Sequence, residues 1–430
     1  MPRLPEAAAV YRAVVFLRRF EPRTGRTTAE VVNFALWPIA VMTVLHRVVV
    51  LAVNGSHTDD FTPVYRAALA FLNRQEVYTA NFNSVDPHYL YQPSGTLLMS
   101  PIALIDPETS RWLFILANAI AVIVALYLLL KMFDLALNSI AAPILLFAAF
   151  STETVTNTLV FSNINGIILL GEVAFLFLLL RRRDLWAGTA IGLTLAVKPI
   201  LAPLLLLPLV RGQWKVFVTA VGIPLILMAV AWPLAADPMA FLEHTLPYLS
   251  ESRDYFNSAI VGNGTYFGLP VAMIWALRLA FAAMVLVSLW LLYRYYRHDE
   301  LFFLATATGV IMGASFLLLS LGQMYYSMLL FPLIMTVVLR NSVMRNWPAW
   351  LAVYGFLSAD AWYSNRFVET GRVVEFLKPT MGWSLLLIVI FAVLANRYLT
   401  AKREGRLDSG IDPDFLVAEH SATTPVPAKV

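Results

Sequence analysis

The sequence predicts an all-α integral membrane protein, a polytopic helical bundle with about ten to twelve membrane segments and external loops carrying short helices. Two observations carry this. Of the 430 residues, 59% are hydrophobic and 13% are charged, against about 25% charged in ordinary soluble domains. So few charges cannot coat a water-facing surface, and lipid must replace water over much of it. The apolar residues also gather into runs near the length of about 20 that a membrane helix requires.

The N-terminal segment 1–33 opens the chain with six arginines, Arg3 to Arg26, before the first long apolar run. That run is span-length and leads into further spans, so it reads as a membrane helix rather than a cleaved signal. Residues 7–20 fit a basic amphipathic helix on the cytoplasmic leaflet or a disordered basic tail. The bundle follows over 34–400, with expected spans near 34–53, 111–131, 139–151, 160–180, 215–234, 271–293, 300–320, 323–340, 346–363 and 379–399. Between them, two apolar pieces of about a dozen residues flank Lys198-Pro199. Each is too short to cross untilted, which predicts a broken or re-entrant hairpin. The tail 401–430 is polar and expected to be disordered and cytoplasmic.

Lys and Arg concentrate on alternate loops, which predicts cytoplasmic termini and puts the remaining loops on the opposite face of the membrane. The opposite loops, near 54–110, 152–163, 235–270 and 364–378, are rich in Tyr, Trp, Phe, Asn and Pro. An interfacial belt needs rings only at helix ends, whereas loops built this way suit folded lids over a carbohydrate-sized cleft. The formal charge of +4 is no argument for nucleic acid, because the basic residues sit at the ends of apolar segments. With no cysteine, thiolate-metal, disulfide and Cys-nucleophile chemistry are excluded.

Several residues are candidates for chemistry. Asp59 and Asp60 directly follow the first span, just before Thr62-Pro63, which reads as the cap and first position of a short helix. A carboxylate at that boundary can act as a general base, or simply favour the helix dipole. Asp86-Pro87-His88-Tyr89-Leu90-Tyr91-Gln92-Pro93 is a turn whose His88, Tyr89 and Tyr91 suit a sugar site or an interfacial loop. Lys198 stands alone in its apolar hairpin; such a cation either binds a ligand such as a lipid phosphate or snorkels. Arg278 raises the same alternatives. Arg253-Asp254 reads as a structural ion pair, and the glycines 262, 264 and 268 as a flexible lid, without the Gly-Lys-Ser/Thr end of a P-loop. Gln323, Tyr325 and Tyr326 lie at the mouth of a span, where they could bind a phosphate or anchor the interface. His57 with Asp59 and Asp60 could hold a hard cation, but the six histidines show no zinc spacing, and no metal or other cofactor is expected.

The runs Thr58-Asp59-Asp60-Phe61 and Pro63-Val64-Tyr65-Arg66-Ala67 carry a resemblance, as does Asp86-Pro87-His88-Tyr89-Leu90-Tyr91. So do Glu153-Thr154-Val155-Thr156-Asn157-Thr158, Thr245-Leu246-Pro247-Tyr248, Arg253-Asp254-Tyr255-Phe256-Asn257-Ser258, Asn346-Trp347-Pro348-Ala349-Trp350-Leu351 and Gly410-Ile411-Asp412-Pro413. Over nearly the whole chain after its first 20 residues, the sequence resembles the arabinan-branching members of glycosyltransferase family 87, membrane enzymes of the GT-C fold. The resemblance implies an arabinofuranosyltransferase that uses decaprenyl-phosphoryl-arabinose as donor and makes α-(1→3) branches on an α-(1→5) arabinan acceptor of arabinogalactan and lipoarabinomannan. It implies a catalytic aspartate in the first external loop, at Asp60 or Asp59, with Asp60 nearer the helix start. With that chemistry, the residues singled out above are expected to divide: Lys198, Arg66, Gln323, Tyr325 and Tyr326 to the donor phosphate, and His57, His88, Tyr89, Tyr91 and Asn257 to the acceptor sugar. Related enzymes often place a His before a Tyr pair in a late external loop; here Gln323 stands ahead of Tyr325-Tyr326, which argues against a His-assisted phosphate contact there. The competing readings are a mannosyltransferase of the same fold and a polyprenyl-glycan flippase, against which stands the lack of an inverted repeat.

Overall fold

The computed structural model describes residues 27–55, 60–84, 86–362, 364–408 and 410–412. Every regular element among them is helical. In chain order these are α1 Thr28–Leu45, running on as a π-helical stretch His46–Val53, then α2 Phe61–Leu72, α3 Pro93–Met99, α4 Pro107–Met132, α5 Ala141–Ser151 and α6 Glu153–Val160. Next come α7 Asn165–Leu180, α8 Asp184–Val197, a 3₁₀ stretch Pro199–Leu205, α9 Leu206–Val210 and α10 Trp214–Ala231. The second half holds α11 Leu246–Ser250, α12 Ile260–Tyr266, α13 Val271–Tyr296, α14 Glu300–Leu318, a 3₁₀ stretch Met324–Leu330, α15 Phe331–Met335, α16 Trp347–Leu357 and α17 Val368–Arg403.

Six helices are long and apolar enough to cross a membrane: Thr28–Val53, Pro107–Met132, Trp214–Leu234, Val271–Tyr296, Glu300–Leu318 and Val368–Arg403. The chain is a multi-pass membrane protein. The other four expected spans are shorter apolar helices, and each has a local reason to stop. Thr152 accepts a hydrogen bond from the Val155 amide and divides α5 from α6. The turn at Ser162-Asn163 holds α7 to 16 residues, about 24 Å at 1.5 Å per residue. Pro332 follows a 3₁₀ stretch, and Ser358 closes α16 after 11 residues.

Burial separates the core from the lipid face. On α14, 83% of the apolar window lies inside the protein, against 22% on α13. Leu279 and Leu286 on α13 accordingly point outward. The buried Trp383 of α17 donates its indole N–H to Ser327 Oγ at 2.9 Å, since a buried indole donor needs a partner.

The hairpin predicted around Lys198 is present. Its arms are α8 and the pair Pro199–Leu205 and α9, and Lys198 between them has extended backbone, φ −141° and ψ 108°. Gly188 and Gly192, four residues apart, let α8 lie directly against α10. A Cβ on Gly188 would stand 2.6 Å from Thr219 Cβ, and one on Gly192 3.1 Å from Ile223 Cβ. Small residues at this spacing are how membrane helices pack closely. α3 clamps the apex: Gln92 Nε2 donates to the Leu195 and Ala196 carbonyls at 2.8 and 3.0 Å, and Ser94 Oγ to Ala196 O at 2.7 Å.

Candidate active site

The helix after the first external loop starts at Phe61, one residue before the expected cap. Asp60 occupies the cap position, but its side chain makes no capping hydrogen bond. Its Oδ2 instead accepts from Asn163 Nδ2 at 2.7 Å, and its backbone N–H donates to Phe161 O at 2.7 Å. α2 can present Asp60 this way because Phe61, Val64, Ala67, Ala68 and Phe71 form one buried face. Phe61 packs on Phe114 of α4 with ring centres 5.4 Å apart.

From Asp60 a hydrogen-bonded chain leads to Lys198. Asn163 Oδ1 accepts from the Asn165 backbone N–H at 3.2 Å, and Asn165 Oδ1 accepts from Lys198 Nζ at 3.0 Å. The Lys198 ammonium also sits over the Tyr326 ring, 4.5 Å from its centre, with Tyr325 at 5.7 Å. Lys198 lies at the apex between the two arms, outside the six long apolar helices. Burial lowers its pKa to about 8, and the charge of Asp60 opposes that shift. Tyr91 faces the same carboxylate: burial and then Asp60 push its hydroxyl well up, so it stays a neutral hydrogen-bonding group. Asp60, Lys198, Tyr91, Tyr325 and Tyr326 are thus brought together, with a base and a cation a few bonds apart.

The Tyr pair is held from behind. Thr154 Oγ1 donates to Tyr325 O at 2.6 Å and accepts the Met328 N–H at 3.2 Å, while the Tyr325 hydroxyl donates to Gln323 Oε1. Gln323 therefore orients Tyr325.

The other expected site residues are placed differently. Arg66 is exposed on α2 and is not drawn into this cluster. Tyr89 is buried with its hydroxyl 2.8 Å from Thr96 Oγ1, which makes it part of the packing under the turn. His88 bonds to Ser84 O at 3.0 Å and meets Phe82 and Tyr248 edge-on at 5.2 and 5.8 Å. Phe82 stacks on Tyr248 at 4.2 Å, so these rings join the loop after α2 to the loop around α11. Asn257 is a brace. Its Nδ2 donates to Arg253 O and Ser320 O, and its Oδ1 accepts from Ala259 and Gly322, so its amide is fully used by backbone. His57 and Asp59 lie outside the described residues.

Three groups went unnoticed in the sequence. Asn163 and Asn165 are buried polar residues in a turn with no distinguishing pattern. Arg111, read as the start of a span, is a buried guanidinium. It donates to Ala52 O at 3.3 Å and Val160 O at 3.5 Å, tying together the segments on either side of Asp60. Two further arginines have partners of their own. Arg278 donates to Leu318 O at 2.7 Å. Arg253 pairs not with Asp254 but with the Tyr248 hydroxyl at 3.1 Å, and lies over the rings of Tyr248 and Tyr255. Among the described residues no group of three or more His, Cys, Asp or Glu is placed to hold a metal.

A carboxylate beside a cation and phenol hydroxyls, at one end of a membrane bundle, can deprotonate an alcohol while holding a phosphate. Comparison with known proteins agrees with that chemistry. Residues 89–320 match the model of glycosyltransferase family 87. A Mycolicibacterium smegmatis protein named alpha-(1→3)-arabinofuranosyltransferase is 55% identical over 416 residues, covering 96% of both chains. One of the same name from Mycobacterium tuberculosis is 56% identical over 94% of both. Another from Corynebacterium glutamicum is 43% identical over 86% of this chain and 88% of its own. No solved structure matches. With the family model covering more than half of the chain and these relatives covering nearly all of it, the protein belongs to glycosyltransferase family 87 and is a glycosyltransferase.

Proposed function

We propose that this enzyme transfers arabinofuranose from decaprenyl-phosphoryl-arabinose to the 3-hydroxyl of an α-(1→5)-linked arabinan, making α-(1→3) branches in arabinogalactan and lipoarabinomannan. The names of the relatives support the sugar and the linkage. The observation that carries the chemistry is the chain of hydrogen bonds joining Asp60 to Lys198 through Asn163 and Asn165.

In this reading the decaprenyl chain lies between helices and its phosphate rests against Lys198 and the Tyr325–Tyr326 pair. Asp60 accepts the proton of the acceptor hydroxyl as that oxygen attacks the anomeric carbon. The new C–O bond forms as the bond to phosphate breaks, and the bonding pair leaves with the phosphate. Phosphate is a competent leaving group, so no separate acid is needed. A β-configured donor then gives an α product in one inverting displacement, through a transition state of oxocarbenium character. Tyr91, which faces Asp60, lines the acceptor side. The basic residues at the other end of the bundle support a cytoplasmic placement for both termini and a periplasmic site. There Arg182 and Arg211 share Glu300 at 2.6 and 2.8 Å.

The test is transfer by purified protein from radiolabelled decaprenyl-phosphoryl-arabinose to a synthetic α-(1→5) arabinan, with linkage analysis of the product. A new 3-linked branch is expected. Transfer from polyprenyl-phosphoryl-mannose instead would move the sugar to mannose, and lipid binding without any transfer would favour a flippase.

A further inference from the structure

The turn between α6 and α7 carries more buried polar groups than its own geometry uses. Ser162 has left-handed backbone, φ 52°, a conformation that costs energy for a residue with a side chain and that turns α6 into α7. Asn163 and Asn165 follow it, 4% and 1% exposed. Asn163 holds the start of α7 through Oδ1, and its Nδ2 reaches Asp60. Asn165 is the first residue of α7, and its side chain does nothing for the helix. Its Oδ1 serves Lys198, while its Nδ2 has no partner among the described residues. A buried amide N–H left unpaired is costly, and its persistence points to an acceptor that arrives with a ligand. The two ends of one carboxamide are adjacent, so this unpaired donor and the Lys198 ammonium lie side by side.

We propose that Asn163 and Asn165 are working parts of the transfer site: Asn165 donates its second amide hydrogen to an oxygen of the lipid phosphate beside Lys198, and Asn163 positions the Asp60 carboxylate. This rests on the reading above that Lys198 meets the phosphate and Asp60 the acceptor hydroxyl. As the glycosidic bond breaks, its electron pair raises the negative charge on the phosphate, and a fixed N–H aimed there stabilises that charge without reorganising. Asn suits the position because its oxygen holds a cation while its nitrogen meets an anion. Asp could do only the first, and Ser could not reach both. Asn163 acts one bond away, fixing the rotation of the carboxylate so that base and phosphate keep their separation.

The experiment uses full-length protein in detergent, with Asn165→Asp, Asn165→Ala and Asn163→Ala beside the unaltered enzyme. Binding of decaprenyl monophosphate is measured by tryptophan quenching, and kinetics are measured with donor and acceptor varied separately. Asn165→Asp preserves shape and the Lys198 contact but turns a donor into an anion. It is expected to weaken decaprenyl phosphate binding at least tenfold and to lower kcat/KM for donor about ten- to a hundredfold, with acceptor KM within twofold. Asn165→Ala should show the same direction with a smaller effect. Asn163→Ala should lower kcat about tenfold and leave decaprenyl phosphate binding unchanged. Unchanged lipid phosphate binding in both Asn165 variants overturns the phosphate contact, as does failure of the unaltered enzyme to bind it. Equal losses in donor and acceptor parameters for Asn163→Ala would reduce that residue to a structural role. If the unaltered enzyme binds decaprenyl phosphate yet transfers no arabinose, the arabinosyl reading fails while the binding arm still decides the role of Asn165.

Discussion

Replacing Lys198 by Met separates the catalytic value of its charge from its structural value. A phosphate oxygen about 4 Å from the ammonium, at an effective dielectric of about 20, is attracted by about 4 kcal/mol. Desolvation of both ions offsets part of this. A net loss of about 2–4 kcal/mol corresponds to about thirty- to a thousandfold in kcat/KM for the donor. The protein itself should tolerate the change. Met loses the 3.0 Å bond to Asn165 and the contact over Tyr326, worth about 1–3 kcal/mol each. It also removes a half-buried charge whose pKa is already lowered by burial, and a thioether packs well against two tyrosine rings. The assay is initial-rate transfer with donor varied at saturating acceptor, with melting temperature measured in the same detergent. A kcat/KM within threefold of the unaltered enzyme, at full folding, would refute the assignment of Lys198 to the phosphate. A collapse of folding with Lys198→Met would show that the cation is structural.

The same lysine predicts a pH dependence. Its ammonium is charged below about pH 8 and neutral above it, so kcat/KM for donor, which reports the free enzyme, should fall as pH rises through about 8. Bound phosphate favours the charged form, so the matching limb in kcat should lie at higher pH; a flat profile from pH 7 to 9.5 would contradict this. Asn257→Ala should act on stability. It strips four backbone groups of their partner in a residue 2% exposed, costing about 2–3 kcal/mol. A lower melting temperature and faster protease cleavage near residues 251–258 should follow, with acceptor KM unchanged for the protein that remains folded.

The parts of this architecture that were legible in the sequence are those with a one-dimensional signature. Long apolar runs gave the six long helices. A single charge beside proline in an apolar stretch gave the break at Lys198. The resemblance pointed to Asp60. What stayed hidden depends on partners distant in sequence. Asn163 looks like any turn asparagine until Asp60, 103 residues earlier, is found 2.7 Å away. Asn257 and Arg111 are polar residues whose partners are backbone carbonyls and amides, which sequence does not mark. Arg66 belongs to a family-like motif, and the amphipathic register of α2 turns it to the surface. Segments such as 160–180 read as full spans because composition does not show that a turn at Ser162 starts the helix late.

The claim at the centre is that Asp60 is the base of the transfer, held in place by Asn163. Asp60→Asn keeps an oxygen for the Asn163 amide and removes only the basicity. Single-turnover transfer by this variant, with donor binding measured in parallel, tests the claim most directly. The account predicts donor binding within twofold of the unaltered enzyme and a rate lower by about 10²–10⁴. Transfer at an undiminished rate would contradict it and return the search for the base to the first external loop.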